Sequence, residues 1–379
     1  MPSHGGGFFR TGRGRLLYAS APLDVTELSF SDNLASPSGV ILRAEEEAAK
    51  AYGSDHTLFF AGGATDAVRT ALLSVKDKRV AFLGGMHKSF HNAARLFSLD
   101  SRDIASISEA EEGGFGALCV TTPDYFGRTV DLAPIAAFCR EKKMILIADE
   151  AHGAHFAFSS LLPESAVKWA DFVIHGAHKT LPVYTGGAML HVKDAYYKTA
   201  LAAREKCIGT SPNYLVMASL DYARDLFSRK GERFYAETKR LIDRAKARHP
   251  SVQVLPSEDF TRVVLYMENG GHALASFLEK EGIYTEAADR DRVVLIVTPF
   301  NAKYLEKVFR LAEKFNGENA EYTDISDIIG KVSARDVGVY PPGIPLVKEG
   351  EIFTEEKVKV LQENLDRLFG TVDGKIETK

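Results

Sequence analysis

The chain has 379 residues, 45% of them hydrophobic, enough for two or three domains' worth of core. Its 47 basic and 51 acidic side chains are interspersed and leave a net charge of −4, without the basic stripe of a nucleic-acid binder; clusters such as residues 76–79 read as solvated faces. No apolar run approaches the roughly 20 residues that span a bilayer.

Residues 1–35 show little periodic structure and read as an arm. Arg10, Arg13 and Arg15 stand among glycines there, without the apolar centre of a signal peptide. Ser36 and Ser38 open a helical pattern through Val40, Ile41, Ala44 and Ala48, which Gly53 stops. From there short apolar runs alternate with amphipathic ones. Strands are predicted at 57–60, 80–83, 117–121, 144–148, 172–175 and 187–192, and helices at 66–75, 88–97 and 132–142. Short continuous apolar strands between amphipathic helices imply an α/β fold with a mostly parallel sheet covered on both faces. Ligands in such sheets sit beyond the carboxyl ends of the strands.

A long helix is predicted over 212–228, continuing past a break through 232–247. Strands at 261–267 and 292–298, with helices at 272–281 and 302–315, suggest a smaller C-terminal domain. Residues 316–319 read as a loop. Tyr340-Pro341-Pro342-Gly343-Ile344-Pro345 has three prolines and reads as a fixed extended segment. The division expected is an arm over 1–35, a large domain over 36–230 and a small domain over 231–379. Cys119, Cys139 and Cys207 lie far apart with no Cys-x-x-Cys spacing. They suggest neither a disulfide framework nor a zinc site, which fits a reducing cytoplasm, and Cys119, in an apolar run, reads as core.

The chemistry concentrates in Asp149-Glu150-Ala151-His152-Gly153-Ala154-His155 and His175-Gly176-Ala177-His178-Lys179-Thr180. Asp149 and Lys179 fall just beyond two predicted strands. A carboxylate and a lysine on neighbouring strand ends suit pyridoxal phosphate. The lysine can form an imine with the cofactor's aldehyde, and the carboxylate can keep the pyridine nitrogen protonated. A catalytic lysine needs a lowered pKa, and a buried aspartate needs a cationic partner to stay ionised. Each residue also has a plain reading: Lys179 as a solvated loop lysine, Asp149 as an N-cap or surface carboxylate, His152 and His155 as satisfied core residues. His152 is the better placed of the two histidines. His87 opens a helix after a strand; it can cap that helix or stack on a planar ring. Gly62-Gly63-Ala64-Thr65 follows a strand and opens a helix, so free N–H groups and the helix dipole would face an anion. Gly176 lets the backbone approach a ligand closely.

Together these motifs resemble the ornithine/lysine/arginine decarboxylase family in its short form, nearly end to end. The resemblance includes Leu23-Asp24-Val25-Thr26-Glu27-Leu28, Met86-His87-Lys88-Ser89 and Thr121-Thr122-Pro123-Asp124-Tyr125-Phe126-Gly127. It continues in Asp131-Leu132, His178-Lys179-Thr180-Leu181-Pro182, Gly209-Thr210-Ser211-Pro212, the proline segment and Gly350-Glu351. It implies fold type I, the aspartate-aminotransferase fold, with a mostly parallel seven-stranded sheet in the large domain and a smaller α+β C-terminal domain. It implies a pyridoxal-phosphate-dependent decarboxylase of lysine, ornithine or arginine, giving an amine and carbon dioxide, of use in polyamine biosynthesis. Lys179 would carry the cofactor, Asp149 would face the pyridine nitrogen, and His87 would stack on the ring. His152 would lie near the ring oxygen or the substrate carboxylate. Gly63, Ala64, Thr65, Gly176 and His178 would surround the phosphate, and Lys179 or His178 would return a proton to the substrate carbon. The family works as dimers with shared active sites, so Thr210 and Ser211 would reach the partner subunit's phosphate.

Two positions depart from the family. Relatives carry a hydroxyl residue at the positions of Ala64 and Gly176. A hydrogen bond to a charged group contributes about 1.5–3 kcal/mol, so cofactor affinity should be lower unless backbone amides, His175 or water compensate. For the substrate's cationic end, Glu27, Asp32 and Glu351 are candidates. Two other readings stand beside this one. A pyridoxal-phosphate enzyme of another type would share Lys179 and Asp149; a transaminase would want a small-domain arginine, and Arg262 lies in a predicted strand there. A degenerate relative would bind the cofactor or a partner without turnover.

Overall fold

The computed structural model describes residues 19–315, 321–339, 345–365, 368–372 and 375–379. Residues 1–18 of the arm, the 316–319 loop and residues 340–344 of the proline segment lie outside these. The chain divides into two compact units, Met1–Glu237 and Thr238–Lys379.

In the first unit, helix α1 spans Val40–Tyr52. The carboxylate of Asp32 accepts the amides of Ser38, Gly39 and Ile41 at its start. Gly53 ends it in the left-handed conformation at φ +69°, which costs glycine little. The unit's strands are β1 (His56–Phe60), β2 (Val80–Leu83), β3 (Ser101–Ile104), β4 (Ala117–Thr121), β5 (Ile145–Asp149), β6 (Phe172–His175) and β7 (Ala188–Val192). They form one seven-stranded sheet in the order β1-β7-β6-β5-β4-β2-β3. β7 runs antiparallel to both its neighbours; the pairs from β6 through β3 are parallel. Sequence periodicity found every strand but β3. Its Ser-Arg-Asp-Ile run is polar because it forms the sheet edge, where charge discourages further pairing.

Helices cover both faces. On one face Leu58, Phe60, Ile147, Phe172, Ile174 and Leu190 pack against α2 (Ala64–Ser74), α3 (Lys88–Leu96) and α6 (Tyr197–Cys207). On the other, Leu118, Val120, Leu146, Ala148 and Val173 pack against α5 (Leu132–Glu141), after the short α4 (Ile107–Glu112). Cys119 and Cys139 are buried free thiols within these layers. The sheet's polar end residues are thereby left for the carboxyl ends of the strands.

The predicted break near residue 231 does not occur. Helix α7 is continuous from Tyr214 to Arg248. Gly231 sits in it because a Cβ there would lie 2.5 Å from the carbonyl oxygen of Phe158. The second unit holds the antiparallel sheet β10-β11-β9-β8, made of Val254–Leu255 (β8), Arg262–Tyr266 (β9), Ala287–Ala288 (β10) and Arg292–Ile296 (β11). Val263, Leu265 and Val293 pack against α8 (Gly271–Lys280) and α9 (Leu305–Lys314). Beyond residue 320 two three-stranded sheets of short strands follow, which apolar periodicity did not reveal. Pro345 opens one of these strands, Pro345–Val347, paired with Val337–Val339. Among the described residues no helix is long and apolar enough to cross a membrane.

Candidate active site

β5 and β6 pair in parallel with Asp149 opposite Ile174. β6 then ends at His175, and the chain turns through Gly176 into a 3-10 turn over Ala177–Lys179. The strand register therefore puts Asp149 and Lys179 at adjacent carboxyl ends. Both line a cavity of about 890 Å3, entirely within the first unit. Gly63, Ala64, Thr65, His87, His152 and His178 line it as well. A second cavity, of about 670 Å3 and lined by Phe158, Arg229 and Glu232 among others, holds none of the predicted site residues.

Asp149 is buried, and among the described residues its carboxylate accepts one hydrogen bond, from Ala151 N–H at 3.2 Å. Burial pushes its pKa up, while the Ala151 amide and the charges of Lys179 and His87 pull it back. A buried carboxylate with three lone-pair sites unused is costly unless a cation meets it. Lys179 Nζ lies 2.9 Å from His152 Nε2. Tyr125, from the loop after β4, meets the His152 ring edge-on at 4.9 Å and is itself half exposed on the cavity wall. In the sequence Tyr125 stands out only as part of the Thr121–Gly127 motif; its position shortly after a strand end is the signal for a role at the site.

His87 does cap its helix, as its plain reading had it: Nδ1 accepts the Ser89 amide at 3.3 Å and lies 2.8 Å from Ser89 Oγ. It also lines the cavity, so capping and ring contact are compatible roles. Burial lowers its pKa against the raising effect of Asp149, and Lys179 adds to the lowering. His178 Nδ1 lies 2.9 Å from the Gly187 carbonyl, an acceptor only, so Nδ1 carries the proton and donates. His155 does not line the cavity; it packs against Phe156 and Tyr235 in the core.

The Gly62–Thr65 loop is held by Gly63 N–H donating to the Gly186 carbonyl at 2.7 Å. Gly63, at φ +86°, brings no side chain to the first amides of α2, which leaves that helix start to an external anion. At Gly176 a Cβ would lie 2.9 Å from the Ala151 oxygen and 3.1 Å from Lys179 Cδ. The missing hydroxyl there thus goes with a missing space. His175 does not make up for it: its Nε2 lies 2.6 Å from Glu150 and its Nδ1 2.9 Å from His191, deep in the core. Thr210 and Ser211 are exposed between α6 and α7 and do not line the cavity of their own chain.

Of the acids suggested for a cationic substrate end, Asp32 is taken up by the start of α1. Burial raises its pKa, but the amides of Ser38, Asn33, Gly39 and Ile41 outweigh that and leave it lowered. Glu351 is exposed and bonded to Lys357 and the Lys348 amide. Among the described residues, Glu27 alone of the three keeps a buried oxygen, Oε1, without a hydrogen-bond partner. Arg262 is fully enclosed in the second unit beside Asp259 and Thr261, which takes it away from a carboxylate-binding role.

These residues fit pyridoxal phosphate on the structure's own terms. They provide an under-bonded buried carboxylate, an amine beside an imidazole, and a helix start opened by glycines around one cavity. Comparisons with known proteins bear on the family and the fold. The Orn/Lys/Arg decarboxylase major domain matches residues 97–264, and that family's C-terminal domain matches residues 303–365. The uncharacterized protein YaaO of Bacillus subtilis is 29% identical over 89% of this chain and 85% of its own length. An arginine decarboxylase of the same organism is 26% identical over 91% of this chain and 85% of its own. Lysine decarboxylase LdcF of Francisella novicida superposes with a TM-score of 0.70 at 16% identity, covering 100% of this chain and 78% of that one. A structure of SPT with its PLP internal aldimine superposes at 0.57 with 16% identity, over 72% and 75% of the two chains. The fold is fold type I, as the sequence led one to expect.

Proposed function

This chain belongs to the Orn/Lys/Arg decarboxylase family, and from that premise we propose that it removes the α-carboxyl group of a basic amino acid as carbon dioxide, using pyridoxal phosphate. The observation that carries the reading is the pairing of Asp149 with Lys179 at adjacent strand ends over one cavity, the carboxylate buried and nearly unbonded. When bound, the cofactor supplies an aldehyde for amine attachment and a ring that withdraws electrons from the substrate carbon.

The chain's own residues do the rest. Asp149 holds a positive charge at the cofactor's ring nitrogen, since a buried carboxylate gains most from a cation in contact. His152 accepts a proton from Lys179 Nζ, leaving a neutral amine able to attack. His87, which lines the cavity, would flank the ring. Ala64 and Thr65 would offer backbone amides and the helix dipole to the phosphate, with Gly63, Gly176 and His178 around it. The carbon that loses carbon dioxide needs a proton returned, and Lys179, with His152 behind it, holds one at the cavity wall. Thr210 and Ser211, exposed and outside their own cavity, serve the phosphate of a second subunit in a homodimer with shared sites. Glu27 is the acid best suited to a cationic side chain.

Incubating the cofactor-loaded protein with lysine, ornithine, arginine and neutral amino acids, and reading products by mass spectrometry, tests the proposal. A primary amine and carbon dioxide from a basic amino acid are the expected products. A keto acid, or no product from any basic amino acid, would overturn it.

A further inference from the structure

Glu150, the residue after Asp149, takes no part in the chemistry above, yet it anchors a buried polar chain that crosses four elements. Its Oε1 accepts the Ala166 amide at 2.8 Å. Its Oε2 accepts Ser165 Oγ–H at 2.6 Å and lies 2.6 Å from His175 Nε2. His175 Nδ1 lies 2.9 Å from His191 Nε2, and His191 Nδ1 lies 2.8 Å from Thr57 Oγ. Thr57 in turn meets the half-buried Ser54 at 3.0 Å. Glu150, His175 and His191 are each no more than 2% exposed. The run therefore starts at the end of β5, crosses β6 and β7, and surfaces at the start of β1.

Such a chain is costly to bury unless every link is made. The geometry allows every link in two senses. If Glu150 is neutral, it donates to His175 Nε2; Nδ1–H of His175 then donates to His191 Nε2, and Nδ1–H of His191 to Thr57. If Glu150 is ionised, all these donors reverse and point toward it. Neither sense leaves an imidazole nitrogen unpaired, and both keep the two histidines neutral. Burial favours this neutrality, holding the His175 pKa down to about 3 and that of His191 well below its ordinary value. Among the described residues, the ionisable groups beside Glu150 are the preceding Asp149, Tyr52 from α1, whose ring packs on both histidines, and His155 from the turn after β5.

The clamp bears on the site because of where its ends are. Glu150 follows Asp149, and His175 precedes Gly176 and the turn that carries Lys179. Ala151 O also accepts the Gly176 amide at 3.1 Å. We propose that Glu150 and His175 are positioning residues, joined across the ends of β5 and β6 so that Asp149 and Lys179 keep a fixed spacing, with the polarity of the whole chain following the proton on Glu150. This rests on the reading of Asp149 and Lys179 as the cofactor pair.

Two measurements test it. The first is 15N NMR of histidine-labelled, cofactor-free protein, wild type and Glu150→Gln. Glutamine copies the neutral acid, with its amide donating toward Ser165 and His175. In wild type, His175 and His191 should both move from Nδ1–H to Nε2–H as the pH is raised past neutrality. In Glu150→Gln both should stay Nδ1–H at every pH. Two histidines that switch separately, or that switch in Glu150→Gln, would overturn the chain. The second is cofactor affinity and the split between KM and kcat. Glu150→Ala and His175→Leu should weaken pyridoxal phosphate binding by about tenfold and lower kcat more than they raise KM, while Glu150→Gln restores both. Wild-type affinity in Glu150→Ala or His175→Leu would overturn the positioning role. If Glu150→Ala does not fold, the histidine tautomers in wild type and Glu150→Gln still decide the chain. If wild type itself binds no cofactor, the functional reading fails while the tautomer result stands by itself.

Discussion

Asp149 and Glu150 are consecutive, both buried, and both have carboxyls pushed upward by burial, yet their surroundings are opposite. Glu150 faces the core and is surrounded by Ser165, the Ala166 amide and His175. Asp149 faces a cavity and holds one amide. A buried carboxylate that serves the fold is satisfied by the fold; one left short of partners beside a cavity is satisfied by a ligand. Asp149 ends β5 and lines the cavity, while Glu150, one residue past the strand, turns into the core.

Replacing Asp149 with asparagine should break the comparison most sharply. It keeps the shape and removes the charge, and kcat for carbon dioxide release should fall by about 10²–10³-fold, the usual loss when a preorganised charge partner is removed. Thermal stability of the cofactor-free protein should hold or rise, because an under-bonded buried charge is lost. An active Asp149→Asn with unchanged kcat would remove Asp149 from the mechanism.

Glu150 should show the reverse, a stability effect that follows pH. Its carboxyl is held at about 8 in the fold against an ordinary 4.5, with burial as the main cause and Ser165, Ala166 N–H and His155 opposing. Between those two values the unfolded chain has released a proton that the native chain keeps. Stability from this group is therefore greatest at acid pH, declines as pH rises through that window and is level above it. Urea unfolding of wild type and Glu150→Gln at stepped pH should show wild type losing ground to the variant from about pH 4.5 to about pH 8. A difference that does not vary with pH would contradict this.

The two hydroxyl-lacking positions give the smallest and most separable effects. Gly176→Ser should destabilise by about 1–3 kcal/mol in thermal unfolding, because its Cβ meets the Ala151 carbonyl and the Lys179 chain. Ala64→Ser should instead tighten pyridoxal phosphate binding by about tenfold, as an added hydroxyl to a charged phosphate allows. A stable Gly176→Ser, or an unchanged affinity in Ala64→Ser, would count against the respective account.

Much of this was legible in the sequence, for reasons that the structure makes plain. Strands β2, β4, β5 and β6 are buried on both faces, so they read as continuous apolar runs, and the polar motifs at their ends stood out. β3 was invisible because an edge strand carries charge. The reversal of β7 was invisible because an apolar run has no direction. The core roles of Glu150 and His175 were not legible, since the partners that define them lie 15 to 25 positions away and meet only in the folded sheet. The same limit hid Tyr125 until its contact with His152 was in view. His175, suggested as a substitute phosphate donor, sits on the wrong side of the strand, a matter of one residue in register.

Titrating pyridoxal phosphate into wild type and Asp149→Asn, following the absorbance of the lysine-bound cofactor and its loss in Lys179→Ala, tests the central claim most directly. Wild type should bind tightly and develop the band, Asp149→Asn should bind at least tenfold more weakly, about 1.4 kcal/mol, and Lys179→Ala should show no band. Equal affinity and equal spectra in all three proteins would contradict the assignment of the Asp149–Lys179 pair.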